Sequence, residues 1–412
     1  MAVFKPFCAY RPDRRYQDKI PALPYDVMNT AEAREMVKGN PLSFLHVDKA
    51  QIDLDESVDQ YSPQVYEKAR ENLINLENAG KLVLDESPRF YIYRQVMKGR
   101  SQTGLVGCAA IDDYLSNVIK KHEHTLAKKE LDRINHVDVC NANTGPIFLT
   151  YRSDKEIGTT VDRWVKERVP EYDFKSGEVY HTVWVIDDED LIKKLERAFE
   201  SVESLYIADG HHRCASAVKV AQKRREQYPD YSGNEEFNFF LAIAYPDSEL
   251  EIMDYNRVVK DLNGLSFEEF LSRVEEKFEV SEIEKAASPK EKHSFSMYYG
   301  KRWYSLKAKE GTFDKNNPVE QLDVSILQNN ILTPILDIDN PKTSTRIEFI
   351  GGIRGLKELE RRVNDDMVLA FAMYPTTIED LMSIADAGEI MPPKSTWFEP
   401  KPLSGLFIHH LS

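Results

Sequence analysis

Cysteine is scarce in this chain: four residues, Cys8, Cys108, Cys140 and Cys214, each standing alone. That scatter excludes a CxxC metal motif and a dense disulfide framework, and reduced structural thiols are expected. No apolar run approaches the ~20 residues that a membrane-spanning helix needs. The opening stretch MAVFKPFCAYRPDRRYQDK holds no apolar core of signal-peptide length, so a cytoplasmic protein that avoids membranes is expected. Positive charge is also short, with 54 Lys and Arg against 69 Asp and Glu and a net charge of −15. Such a field disfavours a general polyphosphate-binding surface and makes nucleic acid a poor partner, while a local basic cleft for a small phosphorylated ligand survives it. No internal repeat or low-complexity segment is visible.

What is present is ordinary globular material: 412 residues, 42% apolar and 10% aromatic, enough for two domains with sizeable cores. Short β-branched or aromatic runs (SFLHV, RFYIYRQV, PIFLTYR, YHTVWVI, SLYIAD) alternate with segments of helical periodicity such as SPQVYEKARENLINLENAGKL. The alternation predicts a mixed α/β (α+β) fold. The polar connector PDYSGNEEF suggests a boundary near residue 232, giving mixed α/β domains over 1–232 and 233–412. Long loops are expected at KEIGTT, AASPKEKHS and EIMPPKSTWFEPKPLSG.

The densest chemistry lies in SLYIADGHHRCASAVKVAQKRREQY. An apolar strand runs into Asp209 and Gly210, and a helix follows whose Ala215, Ala217, Val218, Val220 and Ala221 suit close packing. Asp209 reads as a helix N-cap, and Gly210 permits unusual backbone angles and close approach of a ligand. The N–H groups of the first turn, the positive end of the helix dipole, His211, His212 and Arg213 then make an anion site suited to phosphate. A metal site at His211 and His212 is the competing reading, disfavoured because adjacent helical residues diverge by ~100°.

A second constellation, SQTGLVGCAAIDDYLSNVIKKHEHTLAKKELDR, reads from Asp113 onward as a long amphipathic helix or helix pair. KHEHT is not HExxH, because Leu126 stands four residues after His122. Glu123 remains a candidate base and Arg133 a candidate phosphate ligand, against the plain alternative of a solvated helix face. LPYDV offers Asp26 after a proline-fixed turn, NTGPIFLTYR offers Asn143 and Thr144, and MPPKSTWFEPK offers Lys394 with Lys401 behind. None of these is a Walker A loop, and EFIGGIRGLKEL lacks the GxGxxG spacing.

Taken in order, LPYDV, NPLSFLHV, TGLVGCAAIDDY, KHEHT, KELDR, GPIFLTY, ADGHHRCASA, YNRVVKDLNG and MPPKSTWFEPKPLSGLFIH resemble the bacterial and archaeal DUF1015 family over nearly the whole chain. The DGHHR turn is similar to the phosphate-binding corner of the ParB and sulfiredoxin superfamily, which includes free serine kinases. The resemblance implies a ParB/sulfiredoxin-like strand–turn–helix in the first domain and a link to serine metabolism. It also implies a phosphotransferase moving a phosphoryl group between a nucleotide (ATP or ADP, with Mg²⁺) and a small hydroxyl metabolite such as L-serine. In that scheme Asp209, His211 and Glu123 are catalytic, and Gly210, His212, Arg213, Arg133 and Lys394 hold phosphate or nucleotide. A metal-ligand set is left open, as is self-association into a homo-oligomer. A phosphoserine phosphatase-like hydrolase with His211 as nucleophile or acid, and a non-catalytic binder of a nucleotide or phosphometabolite, are the alternatives.

Overall fold

The computed structural model describes residues 1–412. The chain divides into two compact units: a first made of Met1–Leu250 with Pro400–Ser412, and a second, Glu251–Glu399, inserted between them in sequence. The boundary expected near 232 falls inside the first unit. The polar connector there leads into the strand Phe239–Pro246, which belongs to the first unit's main sheet. The return of residues 400–412 was not anticipated either. Its strand His409–His410 pairs with Ala142–Asn143, a partnership with no local sequence signal.

The main sheet of the first unit holds nine strands: β1 Phe4–Lys5, β2 Phe90–Met97, β3 Arg100–Ala110, β4 Ile119–Lys120, β5 Ile147–Tyr151, β6 Tyr172–Ser176, β7 Val179–Ile186, β8 Leu205–Asp209 and β9 Phe239–Pro246. Their order is β4-β8-β5-β9-β3-β2-β7-β6, with β1 pairing β3. Strand β5 runs antiparallel to β8 and parallel to β9, so every residue of β5 is buried. Four of the five strand-like runs read from sequence are strands. SFLHV is the exception: Leu45–Asp48 forms a short helix, the ambiguity inherent in a brief apolar run.

Helices α1 Pro63–Asn78, α2 Ala127–Cys140, α3 Lys155–Glu167, α4 Glu189–Glu200 and α5 His211–Gln227 complete the layers. The expected loop KEIGTT is the start of α3, because Asp154 caps the helix by accepting from the Ile157 N–H. The long helix expected from Asp113 is broken into the short helix Ile111–Leu115, strand β4, a connector over 121–126 and then α2. One face of the sheet packs on a core that includes Phe90, Leu149, Phe199, Ile207, Val218 and Phe240. A second core, with Phe44, Leu45, Val65, Leu73 and Ile408, seats α1 and the N-terminal turns. The small residues of α5 are buried as expected, which lets the helix approach closely.

The second unit carries its own six-stranded sheet: β10 Tyr255–Val259, β11 Phe278–Ile283, β12 Ser294–Tyr299, β13 Arg302–Ala308, β14 Ile347–Gly351 and β15 Leu369–Met373, in the order β11-β13-β12-β15-β10-β14. Helices α6 Phe267–Lys277, α7 Leu356–Asp365 and α8 Ile378–Asp386 accompany it. Val258, Trp303, Ile350, Leu359 and Met367 belong to its core. No helix in either unit is long and apolar enough to cross a membrane, and all four cysteines are free thiols.

Candidate functional site

The site begins where β8 ends. The pairing of β8 with β5 shifts register between Ile207 and Asp209, an irregularity that re-aims the last side chain of the strand. Gly210 follows at φ 91°, ψ 31°, left-handed angles that glycine adopts without strain. A Cβ at this position would lie 3.1 Å from the Arg213 guanidinium. Gly210, not Asp209, is the N-cap of the 17-residue helix α5, and no side chain caps it. The first intrahelical bond runs from Cys214 N–H to the Gly210 carbonyl at 2.9 Å. The N–H groups of His211, His212 and Arg213 therefore have no partner within the helix and present donors at the positive end of its dipole.

The expectation that Asp209 caps the helix is thus corrected. Its carboxylate instead accepts from Lys401 Nζ at 3.2 Å and lies 3.6 Å from an Arg213 Nη. Burial pushes its pKa up, but Lys401 and Arg213 outweigh burial and hold it at about 2, so it is ionised at neutral pH. His211 is driven well below the ordinary imidazole range by burial and then by His122, whose ring meets it edge-on with centroids 4.4 Å apart. Its Nε2 is buried and has no hydrogen-bond partner. His212 differs: its Nε2 accepts the Leu126 N–H at 3.0 Å, which places the proton on Nδ1 and ties the 121–126 connector to α5. Burial, then Lys129, lowers its pKa. His212, expected to hold phosphate, anchors the connector through Nε2, and burial favours its neutral form.

Arg213 donates to the Pro146 carbonyl, and its Nε is buried without a partner. It lines a small recess of about 20 Å³ with Tyr25, Arg133, Thr144, Gly145 and Ser404. Beside it, and sharing Tyr25, Asp48, Arg133 and His136, is a cavity of about 260 Å³. Arg133, 8% exposed, stacks its guanidinium 4.0 Å from the Tyr25 ring centre and pairs with Asp132 at 2.8 Å. Lys49 donates to the carbonyls of Tyr25 and Met28, both at 3.2 Å, and burial lowers its pKa. Asp48 accepts from Thr144 Oγ1 at 2.7 Å, and Asp132 from the Tyr66 hydroxyl at 3.0 Å. Three cations, Lys49, Lys129 and Arg133, and three acids, Asp26, Asp48 and Asp132, line the larger cavity together. Charges of both signs packed around so small a volume suit a small zwitterionic or phosphorylated metabolite.

The structure brings Asp209, Gly210, His211, His212 and Arg213 to one corner and sets Arg133 beside Arg213. Glu123 sits partly buried in the connector that His212 anchors, not on a helix. Lys394 belongs to the second unit. Sequence reasoning missed Asp48, Lys49 and Tyr66; the available signal was the charged pair Asp48–Lys49 set directly after the apolar run SFLHV. No group of three or more His, Cys, Asp or Glu side chains is placed to hold a metal ion, so the metal reading of His211 and His212 finds no ligand set.

In this mixed α/β protein a buried strand breaks at a left-handed glycine into an uncapped helix, next to an arginine-lined recess. The model of the family described as "Protein of unknown function (DUF1015)" matches residues 4–325, and the chain belongs to that family. No curated protein matches the sequence. Among solved structures the chain is similar to a free serine kinase in complex with AMP, at 16% identity and a TM-score of 0.34 over 72% of this chain and 86% of that one. A conserved hypothetical protein from Pyrococcus furiosus is similar at 15% identity and a TM-score of 0.34, covering 72% and 90%. SbnI with a C-terminal truncation, from Staphylococcus aureus, is similar at 9% identity and a TM-score of 0.37, covering 73% and 85%. Overlap this partial leaves the chemistry to this chain's own residues.

Proposed function

We propose that this protein is a phosphotransferase that moves a phosphoryl group between a nucleotide, ATP or ADP, and a small hydroxyl metabolite, with free L-serine the first substrate to try. The observation that carries the reading is the uncapped N-terminus of α5 behind left-handed Gly210, with Arg213 beside it and Arg133 lining the same recess. Phosphoryl transfer needs positioning and charge neutralisation more than covalent help, and main-chain N–H groups with two permanently charged guanidinium forks supply both. The substrate hydroxyl oxygen forms the new P–O bond as the bond to the nucleotide's leaving oxygen breaks. The hydroxyl proton goes to a carboxylate.

For that acceptor, Asp26 stands ahead of Asp209 and Glu123. Asp209 is committed to Lys401 and Arg213, and Glu123 is not among the residues lining the cavity, whereas Asp26 lies on the cavity wall. Asp209 then becomes the residue that orients Arg213. Mg²⁺ would be held by phosphate oxygens with one or two cavity carboxylates, and would neutralise charge on the transferring group. Incubation with ATP or ADP, Mg²⁺ and a panel of amino acids, read by mass spectrometry, tests the proposal. No phosphorylated product from any of them, together with no reverse reaction from phosphoserine, refutes it.

The unpartnered Nε2 of neutral His211 supports a second reading, hydrolysis of a phosphomonoester with His211 as nucleophile. Release of inorganic phosphate from phosphoserine without nucleotide would favour it. Tight calorimetric binding with no turnover would instead mark a non-catalytic binder.

A further inference from the structure

The second unit buries an arginine that nothing acidic balances. Arg257 lies on β10, between β14 and β15, and is 3% exposed. Its register partners are Phe349 and Phe371, and its guanidinium lies 5.4 Å from the Phe349 ring centre. One Nη donates to the Tyr255 carbonyl and the other to the Lys394 carbonyl, the latter at 3.0 Å. These two bonds use part of a fork that offers five N–H donors. The adjacent acid, Asp254, is turned to Asn256, and burial raises its pKa toward the neutral form. Burial also depresses Arg257 to about 10. In a chain with an excess of acids, a buried cation left with carbonyls alone is costly unless a ligand completes it.

A second cation belongs to the residue whose carbonyl Arg257 contacts. Lys394 is exposed, holds a left-handed φ of 61°, and sets its Nζ 5.6 Å from the Tyr255 ring centre. The turn that carries it is fixed from below: Thr376 Oγ1 donates to the Ser395 carbonyl at 2.9 Å, and buried Ser395 donates to the Pro392 carbonyl at 2.6 Å. Glycine is required alongside, since a Cβ on Gly351 would lie 2.9 Å from Trp397 and one on Gly352 would lie 1.8 Å from Asp254. The corner therefore joins a buried guanidinium to a tied-down turn that carries an exposed ammonium.

We propose that Arg257 and Lys394 form a second anion-binding site, within the second unit, for the phosphate group of a small ligand. The planar fork of Arg257 matches a tetrahedral oxyanion through two hydrogen bonds, and Lys394 adds a point charge at the entrance. The site is independent of the one at α5 and does not rest on the phosphotransferase reading.

Calorimetric titration of the full chain with inorganic phosphate at low ionic strength tests this. Wild type should show two phosphate sites, and the double variant Arg133→Met, Arg213→Met should retain one. Adding Lys394→Ala, or separately Arg257→Lys, should weaken the retained site ten-fold or more, with circular dichroism confirming the fold. Should Arg257→Lys fail to fold, Lys394→Ala carries the test, because its side chain is exposed. A single wild-type site abolished by the double variant, or a retained site indifferent to Lys394→Ala, overturns the proposal. Acetate competing as well as phosphate would overturn the choice of ligand. Loss of the α5 site alone would count against the phosphotransferase reading and leave this one standing.

Discussion

Arg213, partly buried, and Arg257, buried, both donate to main-chain carbonyls, and they differ in what balances them. Arg213 has Asp209 at 3.6 Å, and Lys401 shares that carboxylate at 3.2 Å. Arg257 has carbonyls and aromatic rings only. The first corner is a closed charge triad whose helix N-terminus remains available, so a ligand adds to a structure already balanced. The second is unbalanced, so a ligand there would complete it. Removing a counter-charge from the first and removing the charge from the second should have opposite consequences.

The largest effect is expected at Asp209. Asp209→Asn deprives Arg213 and Lys401 of the carboxylate they share and should cost about 3 kcal/mol in a denaturant titration, whereas Arg257→Met should be neutral or stabilising. Equal losses in the two variants would erase the contrast. The Asp209 gap also has a pH signature. Its folded pKa of about 2 lies below the ordinary 3.8, so its contribution is present above 3.8 and lost as pH falls toward 2, where variant and wild type should converge.

Next in size is His122. Burial first, opposed by Asp209, brings it from 6.5 to about 4, so the folded state holds it neutral while the unfolded chain takes a proton below 6.5. Stability from this group is complete above pH 6.5 and falls by about 3 kcal/mol as pH drops toward 4. Replacing the ring by His122→Phe should flatten that part of the stability–pH curve; an unchanged slope would show the imidazole to be solvated.

Arg213→Lys comes third. It keeps the charge and loses the fork, so turnover should fall by on the order of ten-fold, ~1.4 kcal/mol in the barrier, with the melting temperature little altered. A lowered melting temperature with unchanged ligand affinity would make Arg213 a structural arginine like any other. The smallest effect belongs to His212→Ala, which removes the acceptor for the Leu126 N–H. About 1 kcal/mol of local stability should go, seen as faster amide exchange at Leu126.

The contrast between the two corners was only half legible in the sequence. ADGHHR announced itself because an apolar run, an Asp-Gly turn and a small-residue helix follow one another within a few residues, and local order of that kind survives folding. What balances Asp209 did not, since Lys401 lies 192 residues away and MPPKSTWFEPK reads as one loop. That loop is in fact divided: Lys394 supports the second unit and Lys401 the first. The cavity was hidden for a similar reason. Asp26, Lys49, Tyr66 and Arg133 come from four separate stretches, and only folding makes them neighbours. Glu123 was placed on a helix because charges at 121–133 mimic an amphipathic pattern, yet the chain there is a connector held by His212.

The route of the chain through its two units bears on how the protein is made. Asp209 and Arg213 leave the ribosome together, but Lys401 follows only after the entire second unit has been synthesised, about 10–40 s later at ordinary elongation rates. Until then the nascent first unit lacks strand His409–His410 as well as the ammonium that shares Asp209. The nascent chain therefore carries an incomplete corner for as long as the second unit takes to be made, and acquires the finished charge triad only afterwards.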